Sequence, residues 1–251
     1  MTKNDIKELQ ALRSAKGRKE SGIFAIEGNK LVEELLKSDF KICNIFATEQ
    51  WVVKNPDFAK KVIDYEVVSS KQMEQISNFV TPPGIFATAM MPKHSIEPKD
   101  TEHQMVLLLD GINDPGNLGT IIRTADWFGI NKIVISEDTC DSWQPKVIQS
   151  TMGSIFRTQI TETNVVKFLK EVKTPVFGAM MQGKNVYHTH ISNNQGVIVI
   201  GSESHGIRDN VMPYISCPIN IPKAEGSKTE SLNASVAAGI ILSEIFKMNS
   251  Y

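Results

Sequence analysis

Apolar and polar residues fall along this chain in blocks that set short strands against helices. From 105 to 109 every position is apolar, the pattern of a strand buried on both faces. Asp114, Pro115, Gly116, Asn117 and Gly119 follow, all turn or loop formers. Ile121, Ile122, Ala125 and Phe128 then recur at the spacing of one helical face. The pattern predicts a strand, a Gly/Asn-rich loop, and a helix over 120–128 that carries Arg123. Parallel α/β sheets bind ligands at such strand ends, although for this stretch alone a plain strand–loop–helix connection is the better account.

Upstream, Ile6, Leu9 and Leu12 predict an amphipathic helix over 4–15. Arg13, Lys16, Arg18 and Lys19 then crowd four cations into seven residues. Two readings stand level: a solvated helix end, and a mobile loop that contacts phosphates. Strands or extended segments are expected at 22–27, 42–47, 66–69 and 85–89. Helices are expected over 29–37 and 56–62, and from a Ser69 or Ser70 cap to 76. Together they make a small α/β sandwich. Residues 91–104, with two prolines, alternating charge and no periodicity, read as a linker between domains spanning 1–92 and 102–251. In the second domain strands are expected at 131–136, 175–180, 197–201 and 218–221, and helices at 144–152, 165–172 and 231–247. Alternation of this kind predicts an α/β fold with a mostly parallel sheet and helices on both faces.

Composition narrows the function. The formal net charge is −1 over 251 residues, so no global basic field attracts nucleic acid, and any RNA or DNA contact must be a local patch. Cys43, Cys140 and Cys217 lie far apart, which argues against a disulfide framework or a thiolate metal site and fits a reducing, cytoplasmic setting. The first ten residues are too polar for a signal peptide, and no apolar run approaches the roughly 20 residues of a membrane helix. The dinucleotide, P-loop and nucleophile-elbow fingerprints are missing. His188 and His190 are a weak metal signal, and no metal is expected.

Three loops leave three strand ends. The first carries Asn117 and Arg123. The second, Gly201-Ser-Glu203-Ser-His-Gly206, has glycines at both ends that allow close approach of a ligand. The third runs from Ile221-Pro222 to Ser231-Leu232-Asn233, where Ser231 is expected to cap the final helix.

In their order and spacing these loops resemble the three motifs of the SpoU (TrmH) class of the SPOUT superfamily. The resemblance rests on Asp114-Pro-Gly-Asn117-Leu-Gly119 through Arg123-Thr-Ala125, on Gly201 to Gly206, and on Ile221-Pro222 with Ser231-Leu232-Asn233. The basic segment, Gly22-Ile-Phe24, Glu27-Gly28 and Pro83-Gly84 resemble more loosely the L30e-like substrate-binding domain joined to many members. Lys223 stands where the third motif often has Met, and the loop to Ser231 is longer than usual.

The resemblance implies a trefoil knot in the C-terminal domain and S-adenosylmethionine-dependent methylation of a ribose 2′-hydroxyl in rRNA or tRNA. It also implies a homodimer and backbone contacts to the cofactor around Gly201, Ile221 and Leu232. Arg123 takes the catalytic role, either as a base in a strongly perturbing site or as a cation that positions phosphate. Asn117, Glu203, Ser231 and Asn233 orient it and the ribose, while Arg13, Lys16, Arg18 and Lys19 contact RNA. Two other readings are a non-catalytic RNA-binding protein with this fold and an enzyme using the same loops on another nucleotide-like ligand.

Overall fold

The computed structural model describes residues 1–62, 64–191 and 194–250, the side chains of 248–250 excepted. Two compact units emerge: Met1–Lys93 with Asp141–Phe156, and His94–Cys140 with Arg157–Tyr251.

In the first unit α1 (Lys3–Ala11) and α2 (Ala15–Ser21) lead into β1 (Ile23–Glu27), α3 (Asn29–Leu36) and β2 (Ile42–Thr48). There follow α4 (Glu49–Lys54), α5 (Pro56–Lys61), β3 (Glu66–Val68), α6 (Ser70–Ile76) and β4 (Ile85–Met90). The sheet order is β1-β4-β2-β3, antiparallel except between β2 and β3. Ser69 caps α6 in a reciprocal box: its Oγ accepts from the Gln72 N–H at 3.2 Å, and its own N–H donates to Gln72 Oε1 at 3.0 Å. Leu9, Leu12, Phe46, Met73, Ile76 and Phe86 pack as a core, each such burial worth about 1.5–3 kcal/mol.

The basic stretch is a helix rather than a loop. Ser14 caps α2 by accepting from the Gly17 N–H at 3.0 Å. Arg18 corrects the expectation of a phosphate contact, because it is only 3% exposed. Its Nε and Nη2 donate to Asp141 Oδ2 at 3.0 and 2.5 Å, and its Nη1 donates to the Leu12 carbonyl at 2.6 Å. Four charges close in sequence therefore do not form one patch, since the turn of α2 points Arg18 inward. Residues 141–156 pack here through aromatic rings as well, Trp143 lying 4.7 Å from Phe24 and Phe156 5.3 Å from Phe40 between centroids.

The second unit begins with a 3₁₀ turn, Pro98–Glu102, then β5 (Met105–Asp110), α7 (Pro115–Trp127) and β6 (Lys132–Ser136). After α8 (Pro145–Thr151), which belongs to the first unit, come β7 (Gln159–Thr163), α9 (Val165–Glu171) and β8 (Val176–Asn185). The chain finishes with β9 (Gly196–Gly201), β10 (Cys217–Asn220) and α10 (Ala234–Ser250). The strand order is β10-β8-β9-β5-β6-β7, with every neighbouring pair parallel. Val106, Leu108, Val134, Val197 and Val199 pack with Phe168 and Leu169 of α9. The alternate residues Leu107, Leu109, Ile133, Ile198 and Ile200 are also buried, so both faces of the sheet are covered, as parallel strands require.

Three local differences from the sequence reading matter. Helix α7 starts five residues earlier than 120: Asp114 is its N-cap, accepting from the Asn117 N–H at 2.8 Å, and Pro115 occupies the first turn. Asn117 thus sits on a helix, not in a loop. The last helix is capped by Asn233 rather than Ser231, with Asn233 Oδ1 accepting from the Ser235 and Val236 N–H groups at 3.0 and 3.3 Å. The expected linker is partly built into the second unit. Ile96 is 4% exposed in the core, Asp100 pairs with Lys132 at 2.8 Å, and His94 Nδ1 accepts from the Ile160 N–H at 3.1 Å.

Burial holds the His94 pKa below its ordinary value of 6.5, and the acceptor role needs the neutral ring. The unfolded chain therefore takes up this proton before the folded one does. Stability from this site is intact above pH 6.5 and falls as the pH drops from 6.5 through the lower folded value. Urea unfolding should show a lower midpoint at mildly acidic pH than at pH about 7.5, and His94→Asn should flatten that difference. An unchanged pH slope in His94→Asn would assign the effect to other groups.

Candidate active site

The C-terminal ends of β5 and β9 lie side by side, Asp110 paired in register with Gly201. The loop after β9 folds back on itself through a bridge between Ser202 and Gly206, with N–H to C=O distances of 3.1 and 2.9 Å. A Cβ on Gly201 would stand 2.1 Å from the Gly206 carbonyl carbon, so the closure demands glycine at 201. Gly206 turns the chain with φ +66.

Arg208, just beyond this loop, ties it down. Its backbone N–H and its Nε donate to the Asp110 carboxylate at 2.9 and 2.8 Å, and its Nη2 donates at 2.5 Å. Asp110 is 0% exposed. On its other side Arg208 reaches Asp138 Oδ1 at 3.0 Å. Burial opposes the Arg208 charge, but the hydrogen bonds and charges of Asp110 and Asp138 outweigh it and raise its pKa. Sequence reading passed over these residues. Their signal was an acidic residue closing a wholly apolar strand and an arginine two positions after a glycine-bounded loop.

Held in this way, Glu203 gathers the neighbouring motifs. Its Oε1 accepts from Asn117 Nδ2, from Asn233 Nδ2 at 3.2 Å and from the Ala234 N–H at 3.4 Å. Asn233 Nδ2 also donates to Asn117 Oδ1 at 3.0 Å. Three of the five polar residues singled out in the sequence thus meet at one carboxylate. Arg123 and Ser231 are not drawn in: both are exposed, and their side chains make no hydrogen bond or ion pair among the described residues.

Beside this cluster lies a cleft of about 720 Å³ whose lining includes Gly201, Glu203, Ile221, Ser231 and Leu232. Ile200, Ile207, Ile219 and Ile241 give it an apolar wall. A dry slot with a few polar groups at its rim, in the usual volume range for small-ligand sites, suits an adenine ring with a polar tail. The residues present therefore fit S-adenosylmethionine. Among the described residues no group of three or more His, Cys, Asp or Glu side chains could hold a metal ion.

A mostly parallel sheet with polar loops gathered at adjoining strand ends defines a ligand-binding α/β protein, and similarity to known proteins makes the class specific. Residues 104–243 match the SpoU rRNA Methylase family, and residues 3–87 match the MRM3-like substrate binding domain. The chain belongs to the SpoU rRNA methylase family. It is 30% identical over 240 residues to the 23S rRNA (guanosine(2553)-2'-O)-methyltransferase RlmP of Bacillus subtilis, covering 94% of each chain. A Porphyromonas gingivalis structure assigned to the TrmH family of RNA methyltransferases superposes with TM-score 0.85 at 35% identity, covering 98% of each chain. The AdoMet-bound rRNA methyltransferase of Sinorhizobium meliloti superposes with TM-score 0.83 at 26% identity, covering 98% of this chain and 95% of that one.

The two acidic partners of Arg208 should differ in weight. Asp110→Ala removes the fully buried partner, leaving the Arg208 backbone N–H without its acceptor and the guanidinium, about a third exposed, with Asp138 alone, and should lower unfolding free energy by about 1–3 kcal/mol. Asp138→Ala, at a half-exposed pair, should cost under about 1 kcal/mol. Equal losses in chemical denaturation would refute the assignment of the tie to Asp110.

Proposed function

We propose that the protein transfers a methyl group from S-adenosylmethionine to a ribose 2′-hydroxyl of ribosomal RNA. The observation that carries this reading is the meeting of Asn117, Glu203 and Asn233 beside the apolar cleft of Gly201, Ile221 and Leu232. The rRNA methyltransferases among its relatives support the choice of substrate. Family membership together with the assembled Glu203 cluster favours an enzyme over a non-catalytic RNA-binding protein.

When bound, S-adenosylmethionine supplies a sulfonium methyl group of the kind a ribose oxygen can take. Backbone groups around Gly201, Ile221 and Leu232 hold its adenosine part against the apolar wall. Glu203 fixes Asn117 and Asn233, whose amides orient the ribose. Ser231, at the rim of the cleft, offers a hydroxyl on the substrate side. Arg123 is exposed on α7 and its side chain has no polar partner among the described residues, so its planar fork is open to a phosphate. This favours the phosphate-positioning role: Arg123 holds an RNA phosphate and stabilises charge as the hydroxyl proton departs to another acceptor.

Residues 1–92 then serve RNA binding and 102–251 methyl transfer. Lys16 and Lys19 remain phosphate contacts on the exposed side of α2, and Arg13, exposed just before it, can join them only through donors not already given to the Gln75 and Ser77 carbonyls at 2.9 and 2.6 Å. The scattered cysteines fit a cytoplasmic location, and no described helix is long and apolar enough to cross a membrane. The trefoil knot of the resemblance belongs to residues 196–250. Its support is the return of the chain from β10, at the sheet edge, to the Glu203 cluster two strands inward.

Calorimetry with S-adenosylmethionine and mapping of 2′-O-methyl sites in rRNA with and without the gene test the reaction. Arg123→Ala and Arg123→Lys should both abolish methylation while leaving the fold and cofactor binding intact, because an ammonium cannot reproduce the planar fork. Absence of cofactor binding in the wild type would sink the reading, and a fully active Lys variant would reduce Arg123 to a generic cation.

The assembly is read as a homodimer through α7 and α10. Trp127 on α7 is 82% exposed, and Val236 and Phe246 on α10 are 49% and 46% exposed, apolar positions that a second copy would cover. Light scattering should give twice the chain mass at micromolar concentration. A fully active monomer would contradict it.

A further inference from the structure

The first unit contains a second, smaller cleft, of about 270 Å³, lined in part by Leu31, Asn78, Phe79, Lys146 and Gln149. Beside it an aromatic side chain faces water on a loop built to hold it there. Phe79 is 42% exposed, and the next residue, Val80, is fully exposed. Glu27 anchors the loop from below: it is 5% exposed, and its carboxylate accepts from Ser77 Oγ at 2.5 Å and from the Asn78 N–H and Nδ2 at 2.8 Å each. Ser77 Oγ in turn accepts from the Phe79 N–H at 3.0 Å. A buried carboxylate is therefore spent on fixing the backbone of an exposed phenylalanine, an arrangement that core packing does not require.

Across the cleft Lys146 is exposed and makes no ion pair among the described residues, and Gln149 presents an exposed amide. We infer that this cleft takes one unpaired nucleotide of the RNA substrate, its base stacked on Phe79 and its phosphate facing Lys146. This deepens the proposed function and rests on its reading of RNA as the substrate. An aromatic face, a lone cation and side-chain amides around a slot too small for a drug-sized ligand are the groups that recognise splayed single-stranded bases. A protein partner fits less well, because lysine is depleted from the cores of such interfaces. The basic helix α2 offers cations but no aromatic platform, and Arg18 is already committed to Asp141. Lys146 and Gln149 come from the range that matches the methylase family, while Phe79 comes from the range that matches the substrate-binding domain.

The test uses the full chain and unmethylated rRNA extracted from a strain lacking the gene, with affinity read by filter binding at several salt concentrations. Phe79→Ala should weaken binding about tenfold, the effect of losing one stacked base, while Phe79→Trp should stay within about twofold of wild type. Lys146→Gln should lower affinity and make the salt slope shallower by about one. S-adenosylmethionine affinity, measured by calorimetry, should not change in any variant, which also reports an intact fold. RNA binding by Phe79→Ala equal to wild type, or an equal loss in the Ala and Trp variants, overturns the pocket. A wild type whose rRNA binding depends on Phe79 but which takes no S-adenosylmethionine upholds the pocket and fails the methyltransferase reading instead.

Discussion

The carboxylate of Asp110 closes a strand whose five preceding residues are all buried and apolar. Among the described residues of the second unit it is the one fully buried charge. An ionised group in such a place is strongly unfavourable unless paired and hydrogen-bonded, and Arg208 supplies backbone and guanidinium donors together. The loop from Gly201 to Gly206 has no apolar side chain to anchor it, so its position follows from its two ends. One end is in register with Asp110 in the sheet, and the other is bonded to Asp110 through Arg208. The placement of Glu203, and through it of Asn117 and Asn233, follows from that double attachment. A buried ion pair is weak evidence for stability in general. Its use here is geometric, since it makes one loop conformation far better than the alternatives.

Much of this architecture was legible in the sequence because hydrophobic period carries most of the information about regular elements. The run at 105–109, the runs that became β6 and β9, and the Ser69 signal at a helix start all depend only on neighbours in sequence. β7 escaped notice because Gln159-Ile-Thr-Glu-Thr163 has a single aliphatic residue and lies at the sheet edge, where one side needs no apolar cover. The start of α7 was misplaced because Pro115, Gly116 and Asn117 read as loop formers. Proline suits the first helical turn, where its missing N–H would be unpaired anyway, and the Asp114 cap offsets the poor propensity that follows.

The candidate site was legible as residue types in three loops and illegible as a set of contacts. Asn117, Glu203 and Asn233 are separated by 86 and 30 positions, and nothing local says which of them touch. Arg18 shows the converse failure. Its sequence neighbourhood is basic, but its true neighbour Asp141 lies 123 residues away. Charge runs describe a surface only when the helix that carries them is known to be solvated all round, and α2 is not.

Glu203 is an odd choice for a site that must approach a polyanion. Its negative charge would repel RNA phosphates if it stood free. Among the described residues it has several donors and no cation partner: the Asn117 and Asn233 amides and the Ala234 N–H. Asn117 lies in the first turn of α7, and Ala234 is the first residue of α10. The carboxylate thus sits between two helix N-termini, where aligned peptide dipoles favour negative charge. Lysine or arginine partners would have neutralised it more completely, but they would also have offered phosphates a competing attachment inside the site. Amides and helix ends stabilise the carboxylate without placing a cation in the cluster, so its charge is spread over neutral donors rather than cancelled by a group that would itself draw a phosphate.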